Sequence, residues 1–346
     1  MNCTPEQKLL SLYENQQVFH GEMHDHSASG GTSDGKCTLD VWIEEMARLD
    51  MDFAAILDHR QIRHMYLPNW QDGLFIPGTE PGTFITDSAA TRQDMHYLML
   101  FPDRDLVARL LEQFPEFEFT GGTEGHFTYP TFTRARFGEL IDAVTELGGF
   151  FVHPHPKQYM QSDDPCQYHF RDGMGIEVFY WAMESEYTRE NYRLWVDLLK
   201  AGKRIFACAG GDQHERPHDL CLTTLYAGEK TSASFIEKLR KGDFTCGPVS
   251  IRMLMGDTVA GGVCAFENQT LTVCTGDFHK SVKDPTHKYR LAVLDDQGVI
   301  HQQEISCEED TFVTLPVRKD AKFVRAEVFD LVRYMRIAVG NPIWNK

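Results

Sequence analysis

The chain changes its hydrophobic pattern once, near Gly242, and that change limits the folds open to it. Before it, short apolar runs alternate with amphipathic segments. The runs "FAAIL" (53–57), "LFI" (74–76), "YLMLF" (97–101), "GFFV" (149–152), "IEVFY" (176–180), "IFACAG" (205–210) and "LTTLYA" (222–227) read as buried strands. Between them, "TLDVWIEEMARLD" places Trp42, Met46 and Leu49 on one helical stripe. "RFGELIDAVTELGG" does the same with Phe137, Ile141, Val144 and Leu147, and its glycine pair ends the helix. "EYTRENYRLWVDLLKAGK" and "SASFIEKLRKG" are two further helices. Buried strands separated by helices predict a parallel sheet, open or closed into a barrel. From "DFTCGPVSIRMLMGD" onward the helical period disappears. "LTVCTGD", "YRLAVLDD", "VIHQQEIS", "TFVTLPV", "FVRAEVFD" and "MRIAVGN" are short alternating runs between turn residues. They predict a smaller antiparallel, sandwich-like β-domain. The expected division is 1–244 and 245–346.

A length of 346 residues accommodates one large α/β unit and a smaller one. The formal net charge of −17 argues against nucleic acid and anionic membranes as partners. A small anion remains open to such a chain if a metal cluster supplies local positive charge. The opening "MNCTPEQKLL" lacks a basic segment followed by a long apolar run, and no stretch is long and apolar enough for a transmembrane helix. The nine cysteines are scattered, with no Cys-x-x-Cys pair. Reduced thiols and a cytoplasmic location are therefore expected, and metal chemistry would rest on histidine and carboxylate.

The positions of those residues carry the chemistry. "QVFHGEMHDH" ends a strand on His24 and His26, and "DFAAILDH" ends one on Asp58 and His59. "LFIPGTE" leads to Glu80, and "DMHYLML" puts His96 at a strand mouth. "GFFVHPHP" ends on His153 and His155, and "IFACAGGDQH" on Asp212 and His214. In parallel α/β folds such ends converge on one face. His-x-His and Asp-x-His send both side chains to the same side of an extended strand. Imidazole and carboxylate suit Zn, Mn or Fe, and carboxylates bridge ions. Any one of these histidines is more often a core or surface residue than a ligand. Six strand ends in chain order, all of ligand type, are not absorbed by that reading. His169, His218, His279, His287 and His301 lie outside the pattern and are taken as ordinary.

In this order the motifs resemble the PHP (polymerase and histidinol phosphatase) family of metal-dependent phosphoesterases. They stand here as "HDHS" (24–27), "SDG" (33–35), "DH" (58–59), "GTE" (78–80), His96, "HP" (153–154) and "DQH" (212–214), across residues 18 to 215. The resemblance implies a distorted (β/α)7 barrel and a polynuclear, trinuclear, site. By it, His24, His26, Glu80 and Asp212 share one ion. Glu80 bridges to a second held with His96 and with one of His153 and His155, of which His153, in the first His-Pro step, is the choice. Asp34, His59 and His214 hold the third, although the "ASGGT" insert makes the loop before Asp34 longer than the family pattern. Asp58 would sit behind the ligands. A β-rich segment opening on "TCGPV" (245–249) and closing on "GNPI" (340–343) is similar to the carbaryl esterase-like branch.

The expected function is hydrolysis of a small phosphoester by water activated on two to three divalent ions, with Glu80 and Asp212 bridging and orienting. Arg60, His155 and Lys157 are candidates to hold an anionic, small-molecule substrate. Hydrolysis of a carboxyl ester, carbamate or amide would use the same site. An amidohydrolase barrel fits less well, because no strand ends in lysine. A non-catalytic, metal-ordered binding module is the contrasting class. Self-association is left open.

Overall fold

The computed structural model describes residues 4–87, 94–117, 130–156 and 170–346. Its helices form where the sequence offers both an apolar stripe and a cap. Thr38, Thr133, Ser185 and Thr231 each accept from the backbone amide three residues on and open Leu39–Leu49, Arg134–Glu146, Glu186–Lys200 and Ser232–Lys241. The first ends on Asp50 and the last on Gly242, both in the left-handed region at φ 66° and 72°. A β-carbon at Gly242 would also strike the Phe206 ring and Gly261. Trp42, Met46, Phe137, Ile141 and Val144 are buried in one apolar cluster, and Phe53, Val152, Ile176, Trp195 and Phe235 in a second. Truncating one of the aromatic side chains among them to alanine would cost about 3–5 kcal/mol.

The architecture is mixed α/β, with four sheets among the described residues. In the five-stranded sheet, Gly175–Tyr180 lies between Phe206–Gly210 and Phe150–His153, parallel to both. Leu98–Leu100 pairs antiparallel with Phe150–His153, and Gly78–Thr79 antiparallel with Leu98–Leu100. In the largest sheet, Gln17–Asp25 pairs parallel with Phe53–Ile56 and antiparallel with Thr223–Ala227. Parallel pairing throughout was the expectation; it needs one crossover helix per strand. Among the described residues no helix lies between Gly78–Thr79 and Leu98–Leu100, and none between Phe206–Gly210 and Thr223–Ala227. The chain therefore returns in the opposite sense at these places.

The last helix among the described residues is Ser232–Lys241, and the chain beyond it is strand and turn. Residue 245 falls inside the strand Phe244–Cys246, which pairs with Thr223–Ala227 on one side and Met335–Gly340 on the other. Buried Asn341 adds a second tie: its side-chain oxygen accepts from the Ala207 amide at 2.8 Å and its amide nitrogen donates to the Phe244 carbonyl at 3.3 Å. The C-terminal strands thus brace the strand that leads to Asp212. Among the described residues no helix is long and apolar enough to cross a membrane.

Candidate metal centre

Strand alternation builds the first wall of the site. In Gln17–Asp25, Met23 enters the apolar core while Glu22, His24 and, just beyond the strand, His26 share the other side. The strand ends Phe53–Ile56, Gly78–Thr79, Asp94–His96, Phe150–His153, Gly175–Tyr180 and Phe206–Gly210 bring the remaining groups to the same place. Three sets result, each with its ligand atoms within 4.8 Å of one another: His24, His26, Glu80 and Asp212; His59, Glu80 and His96; and His26, Asp34, His59 and His214.

Glu80 is at the centre and is fully buried. Its Oε2 lies 3.0 Å from His24 Nε2, 3.2 Å from His26 Nε2 and 3.2 Å from His59 Nδ1. Its Oε1 lies 2.9 Å from His96 Nδ1 and 3.2 Å from His155 Nε2. Asp212 turns Oδ1 toward His26 Nε2 at 2.9 Å and His24 Nε2 at 3.4 Å, from a backbone at φ 51°. Asp34 reaches His214 Nε2 at 3.0 Å and His59 Nε2 at 3.6 Å.

The long loop before Asp34 closes because Asp58 holds its start. That carboxylate accepts from the Ser27 amide at 2.6 Å, from the Ser27 hydroxyl at 2.7 Å and from Ser29. Ser33 donates back to the Ser27 carbonyl and Thr32 to the His59 carbonyl. Arg60 follows His59 at φ 50°, is buried, and its amide donates to the Glu80 carbonyl at 3.2 Å. Lys157 lies outside the described residues.

Proton affinities reflect this crowding. Burial opposes charge on His24, but Glu80, Asp212 and Glu177 outweigh it and raise its pKa well above the usual value. For His26, burial is likewise outweighed, by its bonds to Asp212 and Glu80, and the pKa rises to about 10. His59 goes the other way, to about 4, because burial dominates and the His26 and His96 charges add to it. Burial would raise Glu80 and Asp212, yet the surrounding imidazoles hold both well below the carboxylate range.

The structure places His153 and His155 differently. Both precede a proline, in "HPHP" (153–156), and the buried ring of His153, the one chosen from the sequence, lies 5.3 Å from Phe151 and 5.5 Å from Phe170. His155 is the one brought to Glu80. Strand geometry ends at His153; the backbone then turns, with His155 at φ 29°, so two-residue alternation no longer relates the pair. Three polar groups at the site had weak sequence signals. Buried Glu22 accepts from the Gly211 amide at 2.9 Å and the Cys221 amide at 2.7 Å, anchoring the segment that carries Asp212 and His214. Glu177 contacts His24, and the Tyr180 hydroxyl contacts Asp212. The only hint for Glu177 is a carboxylate inside an apolar strand run.

No family model matches the chain, and no curated protein matches its sequence. Among solved structures it is similar to a protein described as a metal-dependent phosphoesterase from Bifidobacterium adolescentis, at 16% identity and a TM-score of 0.36, covering 57% of this chain and 88% of that one. It is also similar to the lesion-specific endonuclease Q of Pyrococcus furiosus, at 15% identity and a TM-score of 0.44. That match covers 65% of this chain and 56% of the endonuclease, so the chain spans little over half of it. Endonuclease Q with a 27-mer duplex carrying an abasic lesion at the active site gives 14% identity and a TM-score of 0.44, covering 65% of this chain and 57% of that one. The expected exclusion of nucleic acid is corrected on this finding. Net charge is a whole-surface sum, whereas phosphate is bound locally, where metal ions reverse the sign.

Proposed function

We propose that this chain is a metal-dependent phosphoesterase whose ions are held around Glu80. The supporting observation is that one buried carboxylate has imidazole nitrogens of five histidines within 3.2 Å. Charging all five rings would crowd five cations around Glu80, with Asp212, Asp34 and Glu177 the carboxylates beside them, and a neutral ring has a single N–H to share among the several groups it faces. His24 Nε2 and His26 Nε2 stand 3.3 Å apart, so at most one of them can donate to the other. Divalent cations relieve both problems, and the nitrogen and oxygen donors suit Zn, Mn or Fe.

Two to three ions fit. One would be held by His24, His26, Glu80 and Asp212. A second would lie by His59, Glu80 and His96, with His155 on the same carboxylate. The third would be held by Asp34, His59 and His214. Such ions supply Lewis-acid charge and lower the pKa of a bound water. Glu80 and Asp212 orient the imidazoles, Asp58 orders the Asp34 loop, and Arg60, next in sequence to His59, is the candidate to hold an anionic ester oxygen. In this reading residues 1–244 form the hydrolase unit, a distorted seven-stranded PHP-type barrel, and 245–346 a β-sandwich-like unit. The absence of described helices after Lys241 supports a change of architecture there, with the strand Phe244–Cys246 joined to both parts.

The test is elemental analysis of the purified chain before and after reconstitution, then turnover of p-nitrophenyl phosphate, bis(p-nitrophenyl) phosphate, single-stranded and duplex oligonucleotides, p-nitrophenyl acetate and a p-nitrophenyl carbamate. Two or three equivalents of metal and chelator-sensitive cleavage of a phosphoester are expected. One equivalent or none after reconstitution would overturn the metal centre. Turnover of the acetate or carbamate without any phosphoester would replace phosphoesterase by carboxyl-ester hydrolase.

A further inference from the structure

Glu177 lies outside all three candidate ligand sets and touches two residues of the centre at once. It is in the middle of Gly175–Tyr180 and 1% exposed. Its Oε1 is 2.7 Å from His24 Nδ1, and its Oε2 accepts the His155 amide N–H at 2.6 Å. The opposite edge of the His24 ring, Nε2, faces Glu80 Oε2 at 3.0 Å and Asp212 Oδ1 at 3.4 Å. His155, held at φ 29°, presents Nε2 to Glu80 Oε1. One carboxylate therefore grips a ring on one side of Glu80 and a backbone on the other.

The neighbouring strand leaves room for this contact. A β-carbon at Gly210 would collide with Glu177 Oε1 and come 2.8 Å from the His24 β-carbon. Only glycine at 210 lets the carboxylate reach the ring.

We propose that Glu177 is a positioning residue: it holds His24 with its proton on Nδ1, which leaves the Nε2 lone pair for the ion, and fixes the His155 backbone so that its ring reaches Glu80. The proposal rests on the metal-centre reading above. A carboxylate only accepts hydrogen bonds, so an imidazole against it must donate from Nδ1. Its other nitrogen is then the ligand atom, as with other metal-binding histidines backed by a carboxylate. Glutamine of the same shape cannot do this. With its oxygen on the His155 amide, its NH₂ group faces His24 Nδ1, and the ring must carry its proton on Nε2, where the ion would bind. The reversed amide sets two donors against each other at His155.

The experiment compares full-length wild type, Glu177→Gln, Glu177→Asp and Gly210→Ala. Zn²⁺ affinity is measured by competition with a chromophoric chelator. The His24 ring nitrogens are followed by ¹⁵N NMR of the Zn-loaded protein, and the metal-free fold by circular dichroism. Glu177→Gln is expected to weaken the tightest Zn²⁺ site about 10–100-fold with the metal-free spectrum preserved, and to lose the protonated Nδ1 signal. Glu177→Asp, which keeps an acceptor but reaches less far, should recover part of the affinity and that signal. A folded Glu177→Gln variant with affinity within about twofold of wild type and an unchanged Nδ1 signal overturns the proposal. If Glu177→Gln does not fold, Gly210→Ala decides by the same limits, since it displaces the carboxylate without removing it. Wild type that binds Zn²⁺ but cleaves no phosphoester would sink the phosphoesterase reading and leave the Glu177 result to stand on affinity. Wild type that binds no Zn²⁺ would overturn both.

Discussion

The Tyr180 hydroxyl donates to Asp212 Oδ2 at 2.9 Å, while Oδ1 of the same carboxylate faces His26 Nε2 at 2.9 Å. One side chain is thus held from behind by a phenol and offered in front to the candidate metal centre. Burial first, and the Asp212 charge next, keep the Tyr180 proton in place far above the usual phenol range, so it is a donor at any working pH. Tyr180→Phe removes only that donor. A hydrogen bond to a charged group contributes about 1.5–3 kcal/mol, so a roughly 10–100-fold drop in kcat is expected with the metal stoichiometry unchanged. Steady-state kinetics on the best phosphoester substrate, beside elemental analysis, checks this. A kcat equal to wild type would show that Asp212 needs no such support.

Glu80→Gln is the most damaging single substitution expected at the centre. The neutral amide cannot bridge ions, and its NH₂ would face imidazole nitrogens on at least one side. The variant should lose at least one equivalent of bound metal, and hydrolysis should fall by roughly a thousandfold, several kcal/mol of lost charge stabilisation. Full metal content in the purified variant would overturn the proposed bridging role of Glu80.

His153 and His155 are separated by a paired comparison. His155→Ala should lower the metal content or its retention through dialysis, because the ring sits 3.2 Å from Glu80. His153→Ala should keep the metal and lower thermal stability, by about 0.5–3 kcal/mol, because its buried ring packs beside Phe151 and Phe170. The reverse outcome would give the ligand role to His153. What was legible here was that one strand end delivers a histidine; which one depends on the turn after His153, and backbone dihedrals at a strand end are not written in a two-residue period.

The same division runs through the rest of the site. His24, His26, His59, Asp212 and His214 were readable because each follows an apolar run, and strand ends gather on one face. The meeting of Asp34 with His214 was less so. It depends on Asp58 fastening Ser27 and Ser29, a set of contacts across about thirty positions of sequence that no local pattern specifies. Glu22 shares a strand side with His24 and His26, so period two places it toward them, but its role in binding the Gly211 and Cys221 amides emerges only when distant strands are brought together. The antiparallel pairings were hidden for a related reason: alternation of apolar runs records which segments are strands and says little about their direction.

The far end of the first strand predicts an acid sensitivity separate from the metal. His20 is buried, and its Nδ1 lies 2.9 Å from Thr224 Oγ1. The Thr224 hydroxyl already donates to the Gly247 carbonyl at 2.7 Å, so the imidazole is the donor, from Nδ1–H. Burial, then the His279 ring 5.1 Å away, lower the His20 pKa to about 4, against a partial pull upward from Asp277 and Asp50. The unfolded chain holds this proton with the ordinary value near 6.5. Between those two values the unfolded state binds more protons than the native one, so this contribution to stability is complete above pH 6.5 and declines as pH falls toward 4. The loss reaches roughly 3 kcal/mol at most. His20→Asn keeps a donor for Thr224 and cannot titrate. Urea unfolding of the metal-free protein from pH 7.5 to 4.5 should therefore show a shallower decline for the variant, with the two curves diverging below pH 6.5. Parallel curves across that range would mean that His20 takes up its proton without disturbing the native packing.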